Sequence, residues 1–313
     1  MSWTAFLFPG QGSQYVGMGQ DLYETYPEVQ AIFDQADEVL GFALSDLCFN
    51  GPEEALNDTI NTQPAIFVTS IALLRALESN KSQPPGFAAG HSLGEYSALA
   101  AAGAMDFAAG LQLVRERGRL MKEAGERSPG GMAAVLGLET EVVDQICRQA
   151  REETGGVIQV ANYNSPGQIV ISGDFRARDV AVELAKAEGA RRVVPLAVSI
   201  AAHSPLMGCI VDEFRQAVEA VEFRRPTVPV VANVSAVPLE SIEAIQEEMV
   251  QQLTSPVRWV ESVRYMIGRG VTEFVEIGPK DVLTKLMRRI DKSVQATSVG
   301  GVTAVESKQG EEI

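Results

Sequence analysis

The spacing of apolar positions changes several times along the chain, and each change predicts an element. Ala5-Phe6-Leu7-Phe8 is an unbroken apolar run closed by Pro9-Gly10, the form of a buried strand feeding a loop. Helical spacing follows near 18–40 and 64–79, and Pro84-Pro85-Gly86 interrupts it. Residues 86–90 read as a second short strand, 93–103 as an Ala-rich helix and 107–124 as another, stopped by Ser128-Pro129-Gly130-Gly131.

From about 131 to 199 the rhythm is different. MAAVLGL reads as strand, ETEVVDQICRQARE as helix, VIQVANYN and GQIVISGD as strands, FRARDVAVELAKAEG as helix and RRVVPLAVS as strand. Strand-helix-strand-strand-helix-strand is the ferredoxin-like order, with Asn164-Ser165-Pro166-Gly167 as the turn between the middle strands. The larger pattern then resumes with a helix near 204–221, a β-branched run at 227–234, and helices near 240–253 and 256–269. A strand at 272–277 and a last helix to about 290 complete it. Strands alternating with helices indicate a parallel α/β sheet. The expected organisation is an α/β domain formed by 1–127 and 200–290, an inserted ferredoxin-like α+β subdomain at 128–199, and a frayed polar tail at 291–313.

Composition narrows the function classes. The 313 residues are 46% hydrophobic and 21% charged, ordinary globular usage. A net charge of −15 argues against nucleic acid or an anionic membrane as partner. Cys48, Cys147 and Cys209 stand far apart, so no disulfide framework is expected and a reducing, cytoplasmic setting is. No signal peptide is read at the N-terminus, and the apolar window at 86–114 carries His91, Glu95 and Asp106, so no membrane span is expected.

Gly90-His91-Ser92-Leu93-Gly94 fits the nucleophile-elbow pattern G-x-S-x-G, with a strand predicted before it and a helix after. That context exposes the Ser92 hydroxyl and offers the Leu93 amide as an oxyanion donor. A serine nucleophile needs a base, and the chain holds only His91 and His203. Neighbouring side chains on such a turn point apart, which leaves His203, oriented by a backbone carbonyl or an amide since no acid stands nearby in sequence. Gly10-Gln11-Gly12 opens like a dinucleotide fingerprint but has Tyr15 at the third glycine position. Cys209, near His203, is expected in the core, and two histidines with scattered cysteines give no metal-ligand spacing.

The helix at 107–124 carries one charge out of place. Leu111, Leu113, Val114, Gly118, Leu120, Met121 and Ala124 fill one half of its wheel, and Arg117 falls in the middle of that half. A buried guanidinium needs an anion, either a structural Asp or Glu or the carboxylate of a substrate.

Together these segments resemble the malonyl-CoA:acyl carrier protein transacylases and the acyltransferase domains of polyketide synthases. The resemblance runs from FPGQGSQ (8–14) and TQPA (62–65) through GHSLGEYSAL (90–99), RG (117–118) and MAAVLGL (132–138). It continues through NSPGQ (164–168), AH (202–203), QL followed by PVRW (252–259) and EIGP (276–279). It implies a hydrolase-like core with the inserted ferredoxin-like unit. By the same resemblance Ser92 carries the acyl group, His203 activates it and then the pantetheine thiol, and Gln11 joins the Leu93 amide in an oxyanion hole. Arg117 pairs with the malonyl carboxylate, Gln252 helps orient His203, and no metal or redox cofactor is needed. Malonyl-CoA and an acyl carrier protein, of fatty-acid or polyketide synthesis, are the implied partners. Ala202 departs from the serine frequent before the histidine and borders the malonyl α-carbon in the family, which opens selectivity against methylmalonyl, whereas Leu93 is the malonyl-type residue. Lys285, Arg288, Arg289 and Lys292 form either a carrier-docking patch or a solvated helix face. The competing functions are a serine acyl-hydrolase and a non-catalytic carrier-binding subunit.

Overall fold

The computed structural model describes residues 3–79, 84–196 and 200–308. Its strands are β1 (Trp3–Phe8), β2 (Phe87–Gly90), β3 (Gly130–Leu136), β4 (Ile158–Ser165), β5 (Gln168–Asp174), β6 (Arg192–Pro195), β7 (Val230–Val231), β8 (Val271–Ile277) and β9 (Gln295–Val299). They form two sheets. The first is wholly parallel, in the order β7-β2-β1-β8-β9, and the second is antiparallel, in the order β4-β5-β3-β6. The helices Thr140–Thr154 and Phe175–Ala187 cover the second sheet over its own apolar cluster, so residues 130–195 follow the ferredoxin-like order. The sheets meet where Val257 continues the edge of β4: Val257 N donates to Ala161 O at 2.8 Å, and Tyr163 N to Val257 O at 3.0 Å.

The helix Thr59–Ser79 lies through the middle of the larger core and begins a turn before its predicted start. Proline normally breaks a helix by removing a donor. Here the carbonyl that Pro64 leaves without its partner, Ile60 O, accepts from Arg115 Nη1 at 2.7 Å, so the helix passes through the proline. This helix is long and apolar enough to cross a membrane, but 83% of its most apolar window is packed inside the protein. Helix Phe107–Arg127 lies against it, close enough that a Cβ at Gly118 would stand 2.7 Å from Thr59 O. That approach carries Arg117 inward.

Three expectations need correcting. The tail at 291–313 is not frayed over its described part: β9 extends the parallel sheet, and helix Val302–Lys308 returns to the core, with Val305 buried and Val302 N donating to Asp21 Oδ2 at 2.9 Å. Its polar composition is that of an edge strand with a solvated face, which a compositional reading mistakes for disorder. The strand expected at 227–234 shrinks to Val230–Val231, because Pro229 has no N–H to give a ladder. Cys209 is exposed on the 3₁₀ turn Pro205–Ile210, which replaces the start of the helix expected from 204. Lys285, Arg288, Arg289 and Lys292 are all exposed, with Lys285 paired to Asp281 and Arg289 donating to Gln168. The last stretch of the strand expected through 199 lies outside the described residues.

The turn after β2 depends on two glycines. A Cβ at Gly90 would lie 1.9 Å from the carbonyl of Gly94, and one at Gly94 would lie 2.0 Å from Phe8 O. Both obstacles are backbone and cannot swing aside. Gly90→Ala should therefore lower the melting temperature by more than about 8 °C, as the larger steric penalties do. Gly268→Ala, with nothing within 4 Å of the added methyl, should leave it unchanged or slightly higher. Paired thermal melts check this, and equal melting temperatures for the two variants would remove the close approach as the reason for the glycine.

Candidate active site

Ser92 sits on the turn between β2 and helix Gly94–Ala101 with φ +52°, and His203 faces it from a loop with φ +56°. Non-glycine residues seldom adopt this left-handed region, and strain of this kind concentrates where geometry has a use. Asn233, just past β7, ties the turn down. Its Oδ1 accepts from Ser92 N at 2.7 Å and its Nδ2 donates to Gly90 O at 2.7 Å.

His203 Nδ1 donates to the main-chain carbonyl of Gln252 at 2.7 Å. That bond places the ring proton on Nδ1 and leaves Nε2 as an acceptor, 2.8 Å from Ser92 Oγ. The orienting group is thus a backbone carbonyl. Burial, followed by the field of Arg117, pulls the His203 pKa from 6.5 down to about 3, so the ring is neutral over the physiological range. Gln159, on β4, donates from Nε2 to His203 O at 2.7 Å and joins the small sheet to the base.

Arg117 is 1% exposed. No carboxylate lies within ion-pair distance of it among the described residues, so the structural Asp or Glu partner is not found. Its Nη1 donates to Gln63 Oε1 at 2.7 Å, and its Nη2 donates to Gln252 Oε1 at 2.9 Å and Ser92 Oγ at 3.2 Å. The guanidinium lies 5.3 Å from the centroid of the Tyr96 ring, and no acceptor for its Nε is found among the described residues. Neutral oxygens hold a full positive charge beside the serine.

A cavity of about 150 Å³ opens over these groups, with Gln11, Leu93, Arg117, Met132, Ala202 and His203 in its wall. Among the described residues the Leu93 amide meets no acceptor, as expected at the first turn of a helix. Gln11 faces the same cavity from the loop after β1, and its Oε1 accepts from Thr59 Oγ1 at 2.9 Å. Ala202 presents only a methyl to the cavity. His91 turns away from Ser92: its Nε2 meets Asn164 Oδ1 at 2.7 Å and its ring packs edge-on against Trp259. No group of three or more metal-ligating side chains occurs among the described residues.

Sequence reasoning missed Gln63, Asn233, Gln159 and the buried acids Glu95 and Glu248. Gln63 and Glu95 stand inside the quoted TQPA and GHSLGEYSAL segments, where a polar residue amid apolar neighbours was an available signal. Asn233, Gln159 and Glu248 gave none, because their roles come from distant elements meeting.

Comparison with known proteins supplies the lineage. Residues 5–308 match the model of the acyl transferase domain. The malonyl CoA-acyl carrier protein transacylase of Bacillus subtilis is 45% identical over 306 residues, spanning 98% of this chain and 96% of that protein. The crystal structure of an acyl carrier protein S-malonyltransferase from Vibrio cholerae superposes with a TM-score of 0.94 at 42% identity, covering 98% of this chain and all of that one. A malonyl-transacylase solved in complex with its type II PKS acyl-carrier protein gives a TM-score of 0.95 at 42% identity over 98% of each chain. With matches of this extent, the chain belongs to the malonyl-CoA:acyl carrier protein transacylase family of acyl transferase domains.

Proposed function

We propose that this chain transfers a malonyl group from malonyl-CoA to the phosphopantetheine thiol of an acyl carrier protein, through a malonyl ester on Ser92. The observation that carries the reading is the Arg117 guanidinium, buried with no ion-pair partner among the described residues and 3.2 Å from the nucleophile. An acyl group ending in a carboxylate supplies the missing anion, and a guanidinium binds it through two parallel hydrogen bonds.

The chemistry follows from the geometry. Ser92 Oγ gives its proton to His203 Nε2 and attacks the thioester carbonyl, and the resulting oxyanion takes the Leu93 amide and Gln11 as donors. Collapse breaks the C–S bond, and the imidazolium returns its proton to the departing CoA sulfur. The carrier thiol then loses its proton to the same nitrogen and attacks the malonyl ester, and collapse breaks the C–O bond as His203 returns that proton to the departing Ser92 Oγ. Each half is acyl transfer between one oxygen and one sulfur, with no redox step. The reading takes 1–127 with 200–290 as the catalytic part and 128–199 as an inserted subdomain that closes the cavity through Met132 and Asn162. It also places the protein in the cytoplasm, in keeping with three cysteines that form no disulfide.

Arg117→Ala tests the reading. Malonyl transfer to the carrier should fall by about a hundredfold or more in kcat/KM, as when one partner of a desolvated charge pair is removed. Acetyl transfer has no carboxylate to strand and should persist. Labelled malonyl-CoA with and without carrier provides the assay, with free malonate counted beside carrier-bound label. A common drop in both substrates with a lower melting temperature would make Arg117 structural.

The His203 pKa predicts a pH dependence. Sulfonylation of Ser92 by phenylmethylsulfonyl fluoride, which has no ionisable group, should hold its rate as pH falls through 6.5 and lose it only toward 3. The same depression means that the unfolded chain binds a proton the folded chain refuses between 6.5 and about 3, so this group's contribution to stability is lost as pH falls across that window. A midpoint near 6.5 in the sulfonylation profile would show a solvated base.

The small Ala202 leaves room beside the α-carbon, so methylmalonyl-CoA should be used at a measurable rate. Ala202→Phe should suppress methylmalonyl more than malonyl transfer by about tenfold, the scale of a methyl-sized difference in a pocket. Competition kinetics read the ratio, and an equal loss of both substrates would exclude this position from reading the substituent.

A further inference from the structure

Behind the cavity two fully buried acids stand where the mechanism has no use for them. Glu95 and Glu248 are 0% and 5% exposed, and burial raises the pKa of each, Glu248 to about 6. Both oxygens of Glu95 are committed. Oε1 accepts from the main-chain N–H of Asn233 at 3.0 Å, and Oε2 accepts from Gln252 Nε2. Glu248 Oε1 accepts from Val234 N at 2.8 Å, on the segment next to Asn233.

The two partners of Glu95 are the two residues that hold the active site. Asn233 ties the serine turn, and Gln252 contacts three parts of the machinery at once. Its main-chain carbonyl orients His203, its Nε2 donates to Ser92 O at 3.1 Å, and its Oε1 accepts from Arg117 at 2.9 Å. A glutamine amide can sit either way round, and only one way is useful here. With oxygen toward Arg117 the guanidinium is anchored; with nitrogen toward Arg117 two donors face each other.

We propose that Glu95 is a positioning residue for malonyl recognition, acting through Gln252: by accepting at Oε2 it fixes the Gln252 amide with its oxygen on Arg117. This rests on the reading of Arg117 as the substrate's carboxylate partner. Oε2 acts here as an unprotonated acceptor, as its bond from Gln252 Nε2 requires, because a proton on that oxygen would donate to Gln252 as the amide of Glu95→Gln does.

The isosteric variant Glu95→Gln separates the two arms. The Asn233 N–H is main chain and cannot turn, so the new side chain keeps its oxygen there and presents its NH₂ to Gln252. Gln252 Nε2 then faces a donor where it had an acceptor, and the repulsion pushes its amide off the alignment that keeps its oxygen on Arg117, against the hold of Ser92 O on the same nitrogen. We expect malonyl kcat/KM to fall by about tenfold or more, the scale of a lost hydrogen bond to a charged group. Acetyl transfer and sulfonylation of Ser92 by phenylmethylsulfonyl fluoride should stay within about threefold, because the His203–Gln252 carbonyl bond is untouched. A crystal structure of Glu95→Gln should show the Arg117 Nη2–Gln252 Oε1 contact opened beyond hydrogen-bond distance. Gln252→Met should lose malonyl transfer at least as far, and adding Glu95→Gln to it should cost nothing further.

Retention of the 2.9 Å contact in the variant, a fall of malonyl and acetyl transfer by one common factor, or losses that multiply in the double variant would each overturn the inference. Should Glu95→Gln not fold, Glu95→Asp, which keeps the carboxylate but withdraws it from Gln252, takes its place and should show the same malonyl-selective loss. Arg117→Ala, assayed alongside, keeps the two readings distinct. If it fails to separate malonyl from acetyl, the substrate reading falls and the crystal contact judges Glu95 by itself.

Discussion

A guanidinium enclosed in protein with no carboxylate in ion-pair reach among the described residues is the constraint on which the rest of this structure turns. Burial makes such a charge expensive, and ordinary folding would place an acid beside it or move it to the surface. Here the Arg117 charge is distributed over the oxygens of Gln63, Gln252 and Ser92 and the face of Tyr96. Amide dipoles and a ring face stabilise the cation without neutralising it. A site arranged this way keeps its affinity for an anion, whereas an internal salt bridge would compete with the substrate for the same donors.

The arrangement is reached by bringing distant pieces of backbone unusually close. Gly118 lets helix Phe107–Arg127 approach Thr59–Ser79, and Gly90 and Gly94 let the serine turn press against the end of β1. The proline in Thr59–Ser79 is absorbed because Arg115 satisfies the carbonyl that it frees. Ser92 and His203 are then held in left-handed backbone by partners on other elements, Asn233 for the first and Gln159 for the second. Ser92 follows β2 of the larger sheet, while the carbonyl of His203, on a loop, is fixed by Gln159 of the smaller one, so both sheets position this pair.

How much of this was legible in the sequence follows from how local each signal is. The elbow has its meaning within five residues, and Arg117 is conspicuous because its helix is amphipathic around it. The ferredoxin-like order is visible because each of its elements has a clear period. What escaped was set by long-range pairing. Glu95 and Asn233 are 138 positions apart, Gln252 and Glu95 are 157, and nothing in either neighbourhood announces the contact. The polar strand β9 escaped for a related reason: it is a strand because β8 offers it an edge, and its own side chains do not require it. Gln252 illustrates both limits. The family pattern implied that it orients the base, which its main chain does, while its side chain is turned to Arg117 and Glu95, which only the fold discloses.

The same guanidinium also governs the strength of the base. In the free protein its positive field adds to burial in lowering the proton affinity of His203. A carboxylate bound to Arg117 offsets that field a few ångströms from the imidazole, in surroundings of low dielectric where charges act strongly. On the function proposed above, binding the malonyl carboxylate to Arg117 would raise the proton affinity of His203 at the moment when Ser92 must give up its proton. An uncharged acyl group leaves the base weak. On the proposed function, substrate recognition and nucleophile activation are two effects of one charge, over distances short enough that the chain's overall charge of −15 does not decide them.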